Sequence, residues 1–375
     1  MIRLYPQDGF ASQIARRWLA RYRGKRPRFA CVLSFTETCL QPQISAAGTN
    51  PDARRTTALA DGTYLYSGPH HQPPLPNLSA GISPAILSRA ILSHCNIPGQ
   101  LFSTGLPAAL KVPHVSLAQA IAKDLSTGMA MTSQQAEQLF SSGYQQGQQL
   151  AQDTPESYWI LSESVVGGTT TAQAVLTALG YRVAGKMSSS HLHSNHAQKQ
   201  ALVQYGLRRW HEHHDRDQAA EKPISGRGTN PMTAAAALGD PMQLAVAGMM
   251  LAISRAAGVL LAGGAQMLAV YALAKAIAQY EHIDWNPQQV VVGTTRWVIE
   301  DNSADTVAIA RSISAPYLAS QLSFAKSPYF QLRAYERGFV KEGTGAGGCA
   351  IAAYLYKNAT NAQLRHAIEA ELRRQ

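Results

Sequence analysis

The sequence predicts an α/β fold: a mostly parallel sheet flanked by helices in the Rossmann-like manner, with a smaller helical subdomain drawn from the chain ends. Three observations predict it. Short apolar runs rich in Val, Leu and Ile alternate with longer segments of helical periodicity, the pattern of repeated strand–helix units. With 375 residues, 46% hydrophobic and only 15% charged, the chain has material for a large core and no signature of disorder. Glycine pairs recur where an apolar run gives way to a helical one, as tight strand-to-helix turns require.

The elements follow in order. Phe10, Ile14, Trp18, Leu19 and Tyr22 fall on one face, so 10–22 predicts an amphipathic helix with a basic solvent side. Phe29–Phe35 reads as a buried strand, and residues 41–80, rich in Pro, Gly, Ser and Asn, read as loops. Helices are expected over Ser83–Leu92, Leu117–Ala122 and the Gln-rich but periodic Ser133–Gln152. Tyr158–Leu161 predicts a strand, followed by helices over Thr171–Leu179 and His196–Trp210. Met242–Ala257 predicts a helix, Val259–Leu261 a strand, Gln266–Tyr280 a helix and Val290–Val292 a strand. Tyr317–Phe324 reads as helical, and two helices, Cys349–Tyr356 and Ala362–Arg374, close the chain. The expected organisation is a basic helix in residues 1–28, an α/β domain over 29–356, and a C-terminal helix over 357–375 packing on the small subdomain.

The formal charge of +10 suggests a nucleic-acid or membrane partner until it is located. Residues 1–28 hold eight basic side chains and one acid, so the remaining 347 residues carry 25 basic and 22 acidic groups. The body is nearly neutral, and nucleic acid is not an expected partner. An Arg-rich, acid-poor start also fits an organellar transit peptide, but no apolar core of about 7–15 residues marks a secretory signal. Four cysteines without a Cys-x-x-Cys pair suit a reducing cytoplasm better than a disulfide framework. Ala256–Ala274 runs uncharged at nearly the length of a spanning helix, about 20 residues, but glycines and Gln266 interrupt it. A strand, a glycine turn and a helix account for it without a membrane.

Ligands of such sheets bind beyond the carboxyl ends of the strands. Three turns qualify: Leu161-Ser-Glu-Ser-Val-Val-Gly-Gly-Thr-Thr-Thr-Ala172, Leu260-Leu-Ala-Gly-Gly-Ala-Gln266 and Val340-Lys-Glu-Gly-Thr-Gly-Ala-Gly-Gly348. Each alone reads equally as a packing turn; together they point to a nucleotide or sugar-phosphate site built on backbone amides and helix N-termini. Glu163 and Glu342 sit in two of them. A carboxylate withdrawn from water becomes a usable general base, whereas the bland alternative is a helix-capping acid.

Gly343, Gly345 and Gly348 also satisfy the dinucleotide fingerprint G-x-G-x-x-G. That motif needs a following strand to carry a ribose-binding acid, and here only a helix follows, so a dinucleotide fold is not expected. His191, His193 and His196, with His211, His213 and His214, invite a zinc reading. Neither group has the metalloprotease arrangement, so no metal is expected. Gly-x-Ser-x-Gly is absent, which disfavours an α/β-hydrolase.

Glu163-Ser-Val-Val-Gly-Gly-Thr-Thr-Thr-Ala172 resembles the Gly-Glu-x-x-x-Gly-Asn-Thr-Thr loop of nicotinate-nucleotide:dimethylbenzimidazole phosphoribosyltransferases. Lys341-Glu-Gly-Thr-Gly-Ala346 is similar to their Gly-Glu-Gly-Thr-Gly-Ala loop. Phe29–Leu40, Ile44–Thr49 and Leu261–Met267 resemble a less-characterised branch of that family, and the likeness spans roughly residues 29–356. The resemblance implies transfer of phosphoribose from nicotinate mononucleotide to a purine or benzimidazole base in cobamide lower-ligand assembly, without a cofactor, by a cytoplasmic homodimer. It makes Glu342 the general base and Glu163 a substrate-orienting group. Gly167, Gly168, Thr169, Thr170 and Thr171, with Gly343, Thr344 and Gly345, would hold phosphate and ribose; Gly263 and Gly264 would approach the substrate, and Lys199 would neutralise phosphate. Where the family has Gly-Arg-Gly-Thr-Gly, this chain has Lys186-Met-Ser-Ser-Ser190, so Ser188, Ser189 and Ser190 would supply hydroxyl donors. The competing expectation is a non-catalytic nucleotide-binding partner of cobamide-synthesis enzymes.

Overall fold

The computed structural model describes all residues except 49, 70–71, 79, 154–155, 193–194 and 219–228, and for 214–218 the backbone alone. Eight strands form one sheet: β1 (Ile2–Tyr5), β2 (Arg28–Ser34), β3 (Gly99–Thr104), β4 (Val115–Ser116), β5 (Tyr158–Ser164), β6 (Gly258–Ala262), β7 (Val290–Thr295) and β8 (Tyr317–Ser320). Their order is β1-β8-β7-β6-β5-β2-β3-β4, parallel throughout except for β1 against β8. From β2 the chain moves outward to β3, then returns to β2's other side at β5 and proceeds through β6 to β8. The direction therefore reverses between β2 and β5, which opens a crevice at their carboxyl ends.

The helices are α1 (Gly9–Tyr22), α2 (Pro51–Ser67), α3 (Pro84–Cys95), α4 (Ser133–Gln152), α5 (Gly168–Ala178), α6 (His196–Gln218) and α7 (Pro231–Leu238). They continue with α8 (Pro241–Ser254), α9 (Ala265–Glu281), α10 (Arg296–Ile299), α11 (Thr306–Ile313), α12 (Phe330–Glu336), α13 (Ala346–Lys357) and α14 (Asn361–Leu372). Alternate strand residues feed two cores. Ala30, Val32, Trp159, Leu161, Val259 and Leu261 pack on the face covered by α4, α5, α8 and α9. Cys31, Leu33, Tyr158, Ile160 and Leu260 pack under α1, α2, α3, α13 and α14 on the other. Burial on both faces is why these strands read as continuous apolar runs. The four cysteines are buried and unpaired. The Ala256–Ala274 stretch is β6, a glycine turn and most of α9, and no described helix is long and apolar enough to cross a membrane.

Three expectations are corrected. Residues 41–80 are not all loop: α2 begins at the Asn50 cap, whose side chain accepts from the Ala53 amide, with Pro51 in the first turn. Tyr317–Ser320 is strand, because it is hydrogen-bonded to β7 on one side and β1 on the other. Leu117–Ala122 is irregular; Gln119 donates to the Ser103 and Leu117 carbonyls and accepts from the Gly105 amide, replacing helical bonds with side-chain ones. The strands β1, β3 and β4 were also not expected.

Candidate active site

The crevice at the β2/β5 reversal holds a cavity of about 140 Å³. Glu163, Gly167, Gly168 and Thr169 line it from the end of β5 and the start of α5, and Gly264 and Gln266 from the turn after β6. Glu342, Gly343 and Thr344 line it from the loop before α13, and Ser188, Ser189 and Ser190 close another wall. Thus two glutamates and most of the expected loop residues meet in one place. Thr170, Thr171, Gly263, Gly345 and Lys199 do not line the cavity.

The local chain explains the placement. Gly167 turns the backbone at φ +85°, where a side chain would press on Cys39, and so delivers the N-terminus of α5 to the cavity. Thr171 points inward instead, donating to the buried Asp240 carboxylate at 2.6 Å, so it braces α5 against the α8 cap. In the loop before α13, Val340, Lys341 and Thr344 all have positive φ, unusual for side-chain-bearing residues and worst for a β-branched valine. Such strain persists because the surroundings hold it: Thr295 Oγ1 donates to the Lys341 carbonyl at 2.6 Å and Ser88 Oγ to that of Thr344 at 2.8 Å.

The purpose of that geometry is visible at Glu342. Its Oε2 accepts from Thr294 Oγ1 (3.0 Å) and the Thr295 amide (2.8 Å), and its Oε1 from the Gly343 and Gly347 amides (3.1 Å each). Burial raises the pKa of Glu342, while the four donors hold the rise back. Glu163 accepts from the Val165 amide at 2.8 Å and from Gln266 Nε2 at 2.9 Å. Burial, with Asp240 and the other carboxylates adding to it, pushes Glu163 up to about 8.

Behind the serine wall lies a buried cationic cluster. Lys341 donates to Asp301 (2.7 Å), to the Ser189 carbonyl (3.0 Å) and to the His191 carbonyl (2.9 Å), tying the serine loop to the glutamate loop. Ser188 Oγ donates to the same Asp301 oxygen at 2.7 Å. Lys199 is fully buried, its Nζ has no hydrogen-bond partner among the described residues, and burial plus the Lys341 ammonium lowers it to about 7. An anion at the serine wall would therefore face the paired Lys341 and an unpartnered Lys199 whose protonated form it would favour.

Asp61, Lys341, Asp301 and Gln266 belong to the site and were not among the expected binding residues. The Asn50-Pro51 capping signature could have placed Asp61 on a helix, and Gln266 and Lys341 sit within the glycine turns already singled out; nothing local marks Asp301. Among the described residues no three His, Cys, Asp or Glu come together to hold a metal. His191 meets the Gln43 carbonyl and His196 the Ser303 carbonyl, while His193 and the His214 side chain lie outside the described residues.

A family model described as phosphoribosyltransferase matches residues 96–285. The chain is 50% identical over 390 aligned positions to the UPF0284 protein alr0297 of Nostoc sp., covering 100% of this chain and 99% of that protein. It is 49% identical over 375 positions to the UPF0284 protein AM1_5137 of Acaryochloris marina, covering 99% and 97%. Among solved structures, CobT from Thermus thermophilus superposes with a TM-score of 0.62 at 15% identity, covering 96% of this chain and 91% of that one. A nicotinate-nucleotide-dimethylbenzimidazole phosphoribosyltransferase structure from the same organism gives 0.59 at 15% identity, covering 98% and 91%. At that identity the structures speak for the shared fold, while the family model and the close relatives speak for kinship: the chain belongs to the phosphoribosyltransferase family, in a branch with the UPF0284 proteins.

Proposed function

We propose that the protein transfers phosphoribose from nicotinate mononucleotide to a ring nitrogen of a base such as 5,6-dimethylbenzimidazole or adenine, releasing nicotinate, in cobamide lower-ligand assembly. The observation that carries the reading is Glu342, a carboxylate of raised basicity held by four donors in the cavity that Glu163 also lines. The attacking nitrogen forms a bond to the anomeric carbon as the bond to the pyridinium nitrogen breaks. The electron pair stays on nicotinate, which leaves without its ring charge, and Glu342 takes the N–H proton of the incoming base in exchange for one of its four protein donors. Nicotinate joined through its ring nitrogen is already a good leaving group, so positioning and proton removal are what the enzyme must add. The phosphate is assigned to the serine wall and the start of α5, with Lys341 and Lys199 behind it.

The test is nicotinate release from the mononucleotide with a panel of bases. Glu342→Gln, which keeps the size of the side chain, is expected to lower kcat by about 10²–10⁴-fold, the usual contribution of a general base. Full activity in that variant excludes the role. The replacement of a glycine-rich loop by Ser188–Ser190 favours one second reading, a non-catalytic nucleotide-binding partner, for which the mononucleotide binds without turnover on any base. The resemblance extends the proposal to a cytoplasmic homodimer, checked by light scattering for mass and by fractionation for location.

A further inference from the structure

Asp61 is a carboxylate that the proposed chemistry leaves unused. It lies on α2, is only 6% exposed, and lines the cavity. Its Oδ1 accepts from Ser83 Oγ at 3.0 Å and its Oδ2 from Ser164 Oγ at 2.8 Å. Ser164 directly follows Glu163, and Ser83 precedes Pro84, which packs against Gly343 beside Glu342. The hydrogen bonds therefore place Asp61 on the wall between the two glutamate loops. A carboxylate has about four acceptor positions, and two are filled here. No cation pairs with Asp61 among the described residues, and burial pushes it up to about 6, which still leaves it mostly ionised at neutral pH. A buried anion without a cation is costly, and a ligand that donates to it recovers that cost.

The neighbours of Asp61 limit what that ligand is. Leu78, Pro84, Phe339 and Val340 line the same cavity and offer apolar surface to a flat ring. A benzimidazole acceptor has one N–H, and in the proposed reaction that proton goes to Glu342. It has none left for Asp61. A heterocycle with an exocyclic amino group has a second donor.

We infer that Asp61 is a specificity-determining residue that selects acceptor bases carrying an amino group on the ring over those carrying only methyl groups there. This rests on the phosphoribosyl-transfer reading above, and the experiment separates the two.

Wild-type protein is assayed for nicotinate release with adenine, 6-methylpurine and 5,6-dimethylbenzimidazole, and the dissociation constants of the same three bases are measured calorimetrically with the mononucleotide present. Adenine is expected to exceed 6-methylpurine by at least about tenfold in kcat/KM and in affinity, as loss of a hydrogen bond to a charged group implies. Asp61→Asn should collapse that ratio to within about threefold, because its loss with adenine exceeds any change with 6-methylpurine. A wild-type ratio near one, binding of none of the bases, or a ratio that persists in folded Asp61→Asn overturns the assignment. If Asp61→Asn does not fold, Asp61→Ser is assayed in its place, and an adenine preference that persists in it overturns the assignment equally. Selective adenine binding without nicotinate release overturns the transfer reaction and leaves the role of Asp61 standing.

Discussion

The proton on Glu163 links the site to the stability of the whole chain. Its carboxyl rises from an ordinary value of 4.5 to about 8, mainly through burial. Between those pH values the folded protein keeps a proton that the unfolded chain releases, so stability falls as pH rises through that window. Glu163→Gln removes this titration. Thermal melts should show little difference from wild type near pH 4.5 and a higher midpoint for the variant at pH 8; an unchanged slope would show that Glu163 ionises normally. Lys199 has the opposite sign. Its ammonium drops from 10.5 to about 7, so the penalty for burying the charge is present in full below pH 7 and fades as pH rises to 10.5. Lys199→Met should therefore raise the melting midpoint at pH 6, with the gain shrinking toward pH 10, and should weaken mononucleotide binding by titration calorimetry. A lysine that costs stability and improves nothing would argue against the anion assignment.

Among the elements, α13 does the most to build the site, because its first turn closes onto the sheet. A β-carbon on Gly347 would lie 2.2 Å from the Thr294 carbonyl carbon and 2.3 Å from the Thr295 amide nitrogen. Gly347→Ala must therefore push α13 from β7 and lengthen the amide bond that Gly347 gives Glu342. It should cost about 1–3 kcal/mol of stability and also lower kcat in the folded fraction. Gly143→Ala provides the contrast. That glycine lets α4 sit on α8, where a β-carbon would lie 2.1 Å from the Ala245 carbonyl oxygen, far from the cavity lining. Denaturation and kinetics together should show it losing stability with kcat per folded molecule unchanged.

The central strands β2, β5, β6 and β7 were legible because burial on both faces demands unbroken apolar runs. Tyr317–Ser320 was not, since Tyr-Leu-Ala-Ser suits either state and only its two sheet neighbours select the strand. Residues 51–67 carry polar and small side chains that mimic loop, and the capping pair Asn50-Pro51 is the local sign of the helix.

For the whole molecule, the decisive feature is the reversal of strand order between β2 and β5, which places α2 and α5 on opposite sides of one crevice. The basic N-terminal segment has a structural task at the sheet's far edge. Its strand β1 covers β8, and Trp18 and Tyr22 of α1 bond to Gln289 and pack with Tyr158. Deleting residues 1–5 should uncover the β8 edge, lower the melting midpoint and promote self-association by light scattering, because an exposed strand edge is a template for pairing. Unchanged behaviour would show that β1 is dispensable.

By itself the sequence determined the α/β class, the near-neutral body behind a basic start, and the two glutamate–glycine loops, because each is expressed in residues close together in the chain. Only the tertiary structure decided that Asp61 and Gln266 join those loops, that Lys341 and Asp301 back the serine wall, and that Thr170 and Thr171 turn inward. These placements depend on groups tens to hundreds of residues apart, brought into contact by strand order and helix packing, which no local pattern encodes.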